Sequence, residues 1–161
     1  MTNGNPMTDE NLRKFAEAWY VALDNHAPAD EVASFLTDDV QMIFPEKTLP
    51  TLADAQAWYA GGKYTDGTTA PGVINIFFDE NHNVVSVERG KSAGDALELT
   101  VVVAWQASWF VAPATKPKRT SLDATQAWTV QPSKKNKFGI AISRYNAMAA
   151  PFAYAPGFAR L

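Results

Sequence analysis

Residues 96–111 read ALELTVVVAWQASWFV, and no other stretch of the chain restricts its fold as strongly. Leu97, Leu99, Val101, Val103, Trp105 and Ala107 alternate with Glu98, Thr100, Val102, Ala104, Gln106 and Ser108. A period of two over this length is the signature of a half-buried strand. The first set must be the concave face, turned toward a core. The second, small and mixed, suits either solvent or a second subunit.

The same period governs the chain beyond the polar stretch KYTDGTTAPG. GVINIFFD, NVVSVERG, SLDATQAWTV and KFGIAISRYNAM also read as strands, separated by ENH, KSAGD, APATKPKR and QPSKKN, all rich in turn formers. Upstream the period is helical. Thr8 with Asp9 and Glu10 starts a helix to about Asn25, with Leu12, Phe15, Ala16, Trp19, Ala22 and Leu23 on one face. Pro28 opens a short second helix carrying Val32, Phe35 and Leu36, antiparallel to the first. Val40 to Phe44 form a strand ended by Pro45. A third helix follows Thr51, with Asp54 at the capping-box position and Gly61-Gly62 as its stop, burying Leu52, Ala55 and Trp58 or Tyr59. Helices first and a meander afterwards is the α+β pattern: three N-terminal helices on the concave face of a curved antiparallel sheet.

One domain accommodates all 161 residues. Residues 1–7 are expected as a flexible leader. The apolar tail 149–161, with Phe152, Tyr154 and Phe158 between prolines, is expected to pack over a mouth of the fold. A net charge of −3 and a pI near 5.3 disfavour nucleic-acid and membrane partners. The basic turns KPKR and SKKNK fall at opposite ends of the sheet and form no stripe. The absence of cysteine removes disulfides, thiolate nucleophiles and Cys-based metal sites, which suits a cytoplasmic location. No secretory signal is expected in MTNGNPMTDE, and LTVVVAW is too short to span a bilayer.

This layout resembles the superfamily of nuclear transport factor 2, ketosteroid isomerase, scytalone dehydratase and the SnoaL-like polyketide cyclases, over Thr8 to about Met148. The resemblance implies a cone-shaped barrel with a wedge-like pocket between the helices and the concave sheet, often within a homodimer. Laid against the isomerase pattern D-D-A-x-V-x-D-P, the stretch DDVQMIFP puts Phe44 where the resemblance implies a general base. A phenyl ring accepts no proton. The oxyanion-donor tyrosine of the first helix aligns with Trp19, and the acidic partner in A-L-D-x-x-D aligns with Gln126, on the face opposite Asp123. Trp19 and Gln126 still donate hydrogen bonds, but neither supplies acid.

Candidate site residues follow from period and resemblance together. Phe15, Trp19, Phe44, Trp58, Trp105, Trp109 and Trp128 project inward; core packing accounts for any one of them, and together they outline a flat apolar slot. Gln126 and Arg144, the next inward position after Phe138, Ile140 and Ile142, would orient a ligand there, with Arg144 equally able to snorkel to water. Tyr145 and Asn146 lie close enough to share that task. Glu46 is a candidate base if it turns inward, whereas Asp38 and Asp39 before the first strand read as Asx-turn residues. His26 in the hairpin break and His82 in the turn DENHN are expected away from the pocket, and no set of metal-ligand spacing or nucleotide-loop motif is found. The expected function is binding, or isomerising, cyclising or dehydrating, an apolar ring compound without metal or nucleotide cofactor. The alternative is a non-catalytic homodimeric adaptor.

Overall fold

A computed structural model describes residues 4–109 and 118–147. Helix α1 spans Asp9–Asp24, capped by the Thr8 hydroxyl, which accepts from the Asn11 N–H. Its buried stripe of Leu12, Phe15, Ala16, Trp19, Tyr20 and Leu23 lies against the sheet. Helix α2 is one turn, Ala29–Ala33, with Pro28 as its cap; Phe35 and Leu36 lie beyond it. Helix α3, Leu52–Ala60, begins at the predicted Thr51 cap and stops at Gly61, where φ is +92°. It buries Ala55 and Tyr59, and Trp58 stays half-buried.

Six strands form one sheet in the order β2-β1-β8-β7-β6-β5, with β1 at Leu36–Ile43, β2 at Thr48–Leu49, β5 at Phe77–Ala93, β6 at Ala96–Trp109, β7 at Lys118–Pro132 and β8 at Ile140–Asn146. The run β5 to β8 is the expected antiparallel meander. β1, however, lies parallel to β8, so the sheet is mixed. Nor does it close into a barrel, since β2 and β5 are its two edges. A minor hairpin pairs β3, Gly62–Lys63, with β4, Thr69–Ala70.

The largest departure from expectation lies at residues 73–93. Val73–Ile76 make one helical turn, α4, and no turn separates FFD from NVVSV. β5 instead runs unbroken through Glu80, Asn81, His82 and Asn83, which pair with Ala107, Gln106, Trp105 and Ala104 of β6. The long edge of β6 explains this, because a break in β5 would leave its N–H and C=O groups unpaired. Extra residues in β5 are absorbed by irregularities at Phe77/Asp79, Val84/Ser86 and Arg89/Ser92.

Two further bulges reposition side chains. In β1 the register with β8 shifts between Leu36 and Gln41, so Asp38 and Asp39 lie within the strand, both exposed, and not ahead of it. Asp38 pairs with Lys135 at 2.9 Å and Asp39 accepts from Thr37 at 2.7 Å, so both carboxylates are used in local structure. In β8 Ser143 is the extra residue between the pairs Thr129↔Arg144 and Val130↔Ile142. It reverses the alternation, so Tyr145 turns inward and Arg144 is exposed.

The narrow end of the cone is sealed by rings. Phe15 meets Phe35, Phe138 and Trp128 at centroid distances of 5.4, 5.8 and 6.4 Å. Met7, within the expected leader, packs on this core, and its carbonyl accepts from Arg89. The expected lid at 149–161 lies outside the described residues.

Candidate functional site

The wide end holds a cleft of about 110 Å³. That is the order of the ~150 Å³ cavity that takes up benzene in an apolar protein core. Such a volume is of the size that holds a single ring. Phe44 and Trp58 stack at its mouth, 5.1 Å apart and 24° from parallel, with exposed Glu46 at the rim. Val73, Phe77, Val103, Trp105 and Ala124 supply apolar wall.

Polar groups line the cleft on two sides, one of them backed by a carboxylate that does not itself line it. From α1 comes Asp24, the last helical residue, where the negative end of the helix dipole disfavours a carboxylate. Its Oδ1 lies 2.6 Å from His82 Nδ1, and its Oδ2 accepts the His82 main-chain N–H at 2.8 Å. Asp24 thus holds both the ring and the strand that carries it. Because a carboxylate only accepts, Nδ1 is the donor in this contact, and the neutral imidazole has its lone pair on Nε2. Tyr20 stacks on the ring at 4.6 Å and Trp105 lies near-parallel at 6.0 Å, which fixes its plane. Asp24 and His82 side chains are only 13% and 11% exposed.

Glu80, two residues earlier on the same face of β5, also lines the cleft. Its Oε2 accepts from Trp105 Nε1 at 2.9 Å, while Oε1 is buried with no hydrogen-bond partner among the described residues. Burial raises the Glu80 carboxyl above its ordinary value; neighbouring His82 and the Trp105 bond pull it back only in part. Donor atoms of Asp24, Glu80 and His82 lie within 4.8 Å of one another. That spacing would suit a cation, but both oxygens of Asp24 are committed to His82, which makes Asp24 an orienting group.

From the other side, β7 and β8 contribute Gln126 and Tyr145. Gln126 Oε1 accepts from Tyr20 at 2.6 Å and from Trp128 Nε1 at 3.0 Å. An indole N–H only donates, so the contacted atom is the amide oxygen and the NH₂ is directed elsewhere. Tyr145 Oη lies 3.5 Å from Tyr20 Oη, and burial raises its phenol so that it stays a neutral donor.

Of the residues singled out in the sequence, Phe44, Trp58, Trp105, Gln126 and Glu46 line the cleft. Phe15, Trp19 and Trp128 are 0–1% exposed and belong to the sealed core instead. Trp109 packs with Trp105 and Phe77 beside the cleft. Arg144 points outward because of the Ser143 bulge. His26 is exposed at the end of α1, as expected. His82 is in the cleft, contrary to expectation, and sequence reasoning misses Asp24 and Glu80 altogether. A signal for them exists: Asp79, Asn81 and Asn83, read as turn formers, alternate with Glu80, His82 and Val84, and the structure exposes the first set and half-buries the second.

No family model matches the chain, and no curated protein does. Solved structures do. A candidate aromatic ring hydroxylase from Novosphingobium aromaticivorans superposes with a TM-score of 0.68 at 12% identity, over 89% of each chain. A candidate scytalone dehydratase from the same organism gives 0.64 at 11%, covering 84% of this chain and 79% of that one. A hexachlorocyclohexane dehydrochlorinase, LinA type 2, gives 0.60 at 11%, covering 85% and 81%. The fold is therefore the NTF2-like one that the element order suggested. Its class is α+β, with helices on a curved mixed sheet of six strands.

Proposed function

We propose that the chain is an enzyme of lyase or isomerase type that takes a proton from carbon in a compact ring compound, with His82 as base and Asp24 as its positioning residue. The observation that carries this reading is the 2.6 Å contact of Asp24 with His82, whose ring lines a largely apolar cleft. Such a pair presents a basic Nε2 with its tautomer fixed. A neighbouring carbonyl, by holding the electrons, brings a C–H bond within reach of imidazole. Gln126 and Tyr145, across the cleft, are the donors available to the resulting enolate oxygen. From the enolate, return of the proton to another carbon is isomerisation, and loss of a β-substituent is elimination. The names of the scytalone dehydratase and dehydrochlorinase neighbours denote eliminations, which agrees with this reading.

An adaptor would need only the outer sheet face. It would have no use for a desolvated histidine–carboxylate pair, whose burial costs stability. Homodimerisation through that outer face, half-buried at Val102, Ala104 and Ala127, and a cytoplasmic location belong to the same proposal.

Deuterium exchange tests the base directly. In D₂O, with cyclohexanone as probe, the wild-type protein should catalyse exchange at the α-carbon, and His82→Ala should lose ~100-fold or more of that rate. Equal rates in the two proteins would rule out His82 as the base.

A further inference from the structure

We propose that Glu80 is the acid of this cleft, delivering a proton to the oxygen of a departing hydroxyl, so that the preferred substrates are hydroxylated ring ketones that leave as enones plus water. The proposal deepens the base reading above and rests on it.

Three observations support it. Glu80 and His82 project from the same face of β5 into one cleft, which places an acid beside the base without a second loop or subunit. Trp105 Nε1 holds Oε2 at 2.9 Å, which leaves Oε1 as the atom able to carry a proton. That Oε1 is buried and unpartnered among the described residues. A carboxylate anion in such a place keeps the whole cost of lost hydration, whereas a neutral carboxyl needs only an oxygen acceptor, and a bound hydroxyl is one. The groups facing Glu80 are Asp24, His82 and Trp105; Asp24 favours its neutral form and the other two oppose it, with burial outweighing both.

The step balances without a co-reactant. His82 Nε2 takes the proton α to the carbonyl, the C–H electrons pass to the enolate, and their return forms the new C=C as the β C–O bond breaks. Glu80 gives its proton to the departing oxygen, and water leaves. His82 and Glu80 both line the cleft, and net transfer of one proton from the imidazolium to the carboxylate restores both. Halide needs no proton to depart. Glu80 therefore sets which leaving group is preferred.

Two measurements on the whole chain decide it. In infrared difference spectra, wild type minus Glu80→Gln at neutral pH, a protonated-carboxyl band should appear and should shift when 3-hydroxycyclohexanone binds. In kinetics, Glu80→Gln should lose ~100-fold or more on 3-hydroxycyclohexanone and less than about 5-fold on 3-chlorocyclohexanone after subtraction of spontaneous loss, since acid catalysis typically contributes 10²- to 10⁴-fold. His82→Ala should lose both reactions. An ionised Glu80, equal losses on the two probes, or no turnover of either with an unmoved band overturns the proposal. Failure of the base reading looks different: His82→Ala would then match the wild type on the chloride.

Discussion

At the scale of single residues, Asp24 makes the sharpest test, because its replacement by asparagine changes no volume. An amide at this position can donate to Nδ1 where the carboxylate accepted, which would drive the ring proton to Nε2 and leave no base. Asp24→Asn should therefore fold normally and lose 10²- to 10⁴-fold in activity. The ¹⁵N shifts of the His82 ring should report the exchanged tautomer; an unchanged tautomer with full activity would remove Asp24 from the site. The residues carrying this chemistry are hard to see in the chain. Period and resemblance bring Phe44, Trp58, Trp105 and Gln126 to one cleft, since each sits on or beside a regular element. His82 escapes them because Asp79, Asn81 and Asn83 have turn chemistry, and in β5 that chemistry is satisfied on the outer face. Arg144 is displaced by a single residue, the bulged Ser143, whose composition gives no warning.

At the scale of elements, the helix starts are legible because caps are local. Thr8 and Thr51 each accept from the N–H three residues on, as their spacing to the apolar stripes requires. What the sequence does not show is how far Asp54 reaches beyond its capping role. Its carboxylate accepts from the Thr51 hydroxyl at 2.9 Å, the Thr65 N–H at 2.6 Å and the Thr65 hydroxyl at 2.8 Å, tying α3 to the β3–β4 hairpin. Burial pushes this carboxyl up, but those bonds outweigh it and hold it below the ordinary value. A depressed folded-state pKa contributes stability that is present above the unfolded value, ~3.9, and is lost as pH falls through the folded one. Asp54→Asn should cost about 1–3 kcal/mol at neutral pH. The gap between the two proteins, measured by urea unfolding, should shrink below roughly pH 4. A gap independent of pH would mean that the carboxylate is not what Thr65 needs. Strand direction is less legible than strand existence: the parallel docking of β1 on β8 joins distant segments, and alternation within either strand says nothing of it.

For the molecule as a whole, the cone divides into a part that holds it together and a part that works against stability. The ring-packed core and the faces of α1, β6 and β7 bury apolar surface, while Glu80 and His82, with Asp24 against His82, keep three titratable groups at a largely apolar cleft. Evolution tolerates such groups where function uses them, and their removal commonly stabilises. Glu80 gives this trade-off a sign. Its folded pKa lies above its unfolded one, so its contribution is most favourable below the unfolded value of ~4.3 and is lost as pH rises through the folded value. As pH rises through that folded value the wild type must release the proton and bury a charge, or unfold to avoid it. Glu80→Gln keeps an oxygen for Trp105 and never ionises. Its melting temperature should equal or fall below that of the wild type near pH ~4 and exceed it near pH ~8 by about 3 °C, the shift that ~1 kcal/mol gives in a domain of this size. The crossing of the two curves is the diagnostic, because a misfit of shape between the amide and its surroundings would lower the variant at every pH. Parallel curves would place Glu80 in touch with solvent, and the acid of the cleft would have to be sought elsewhere.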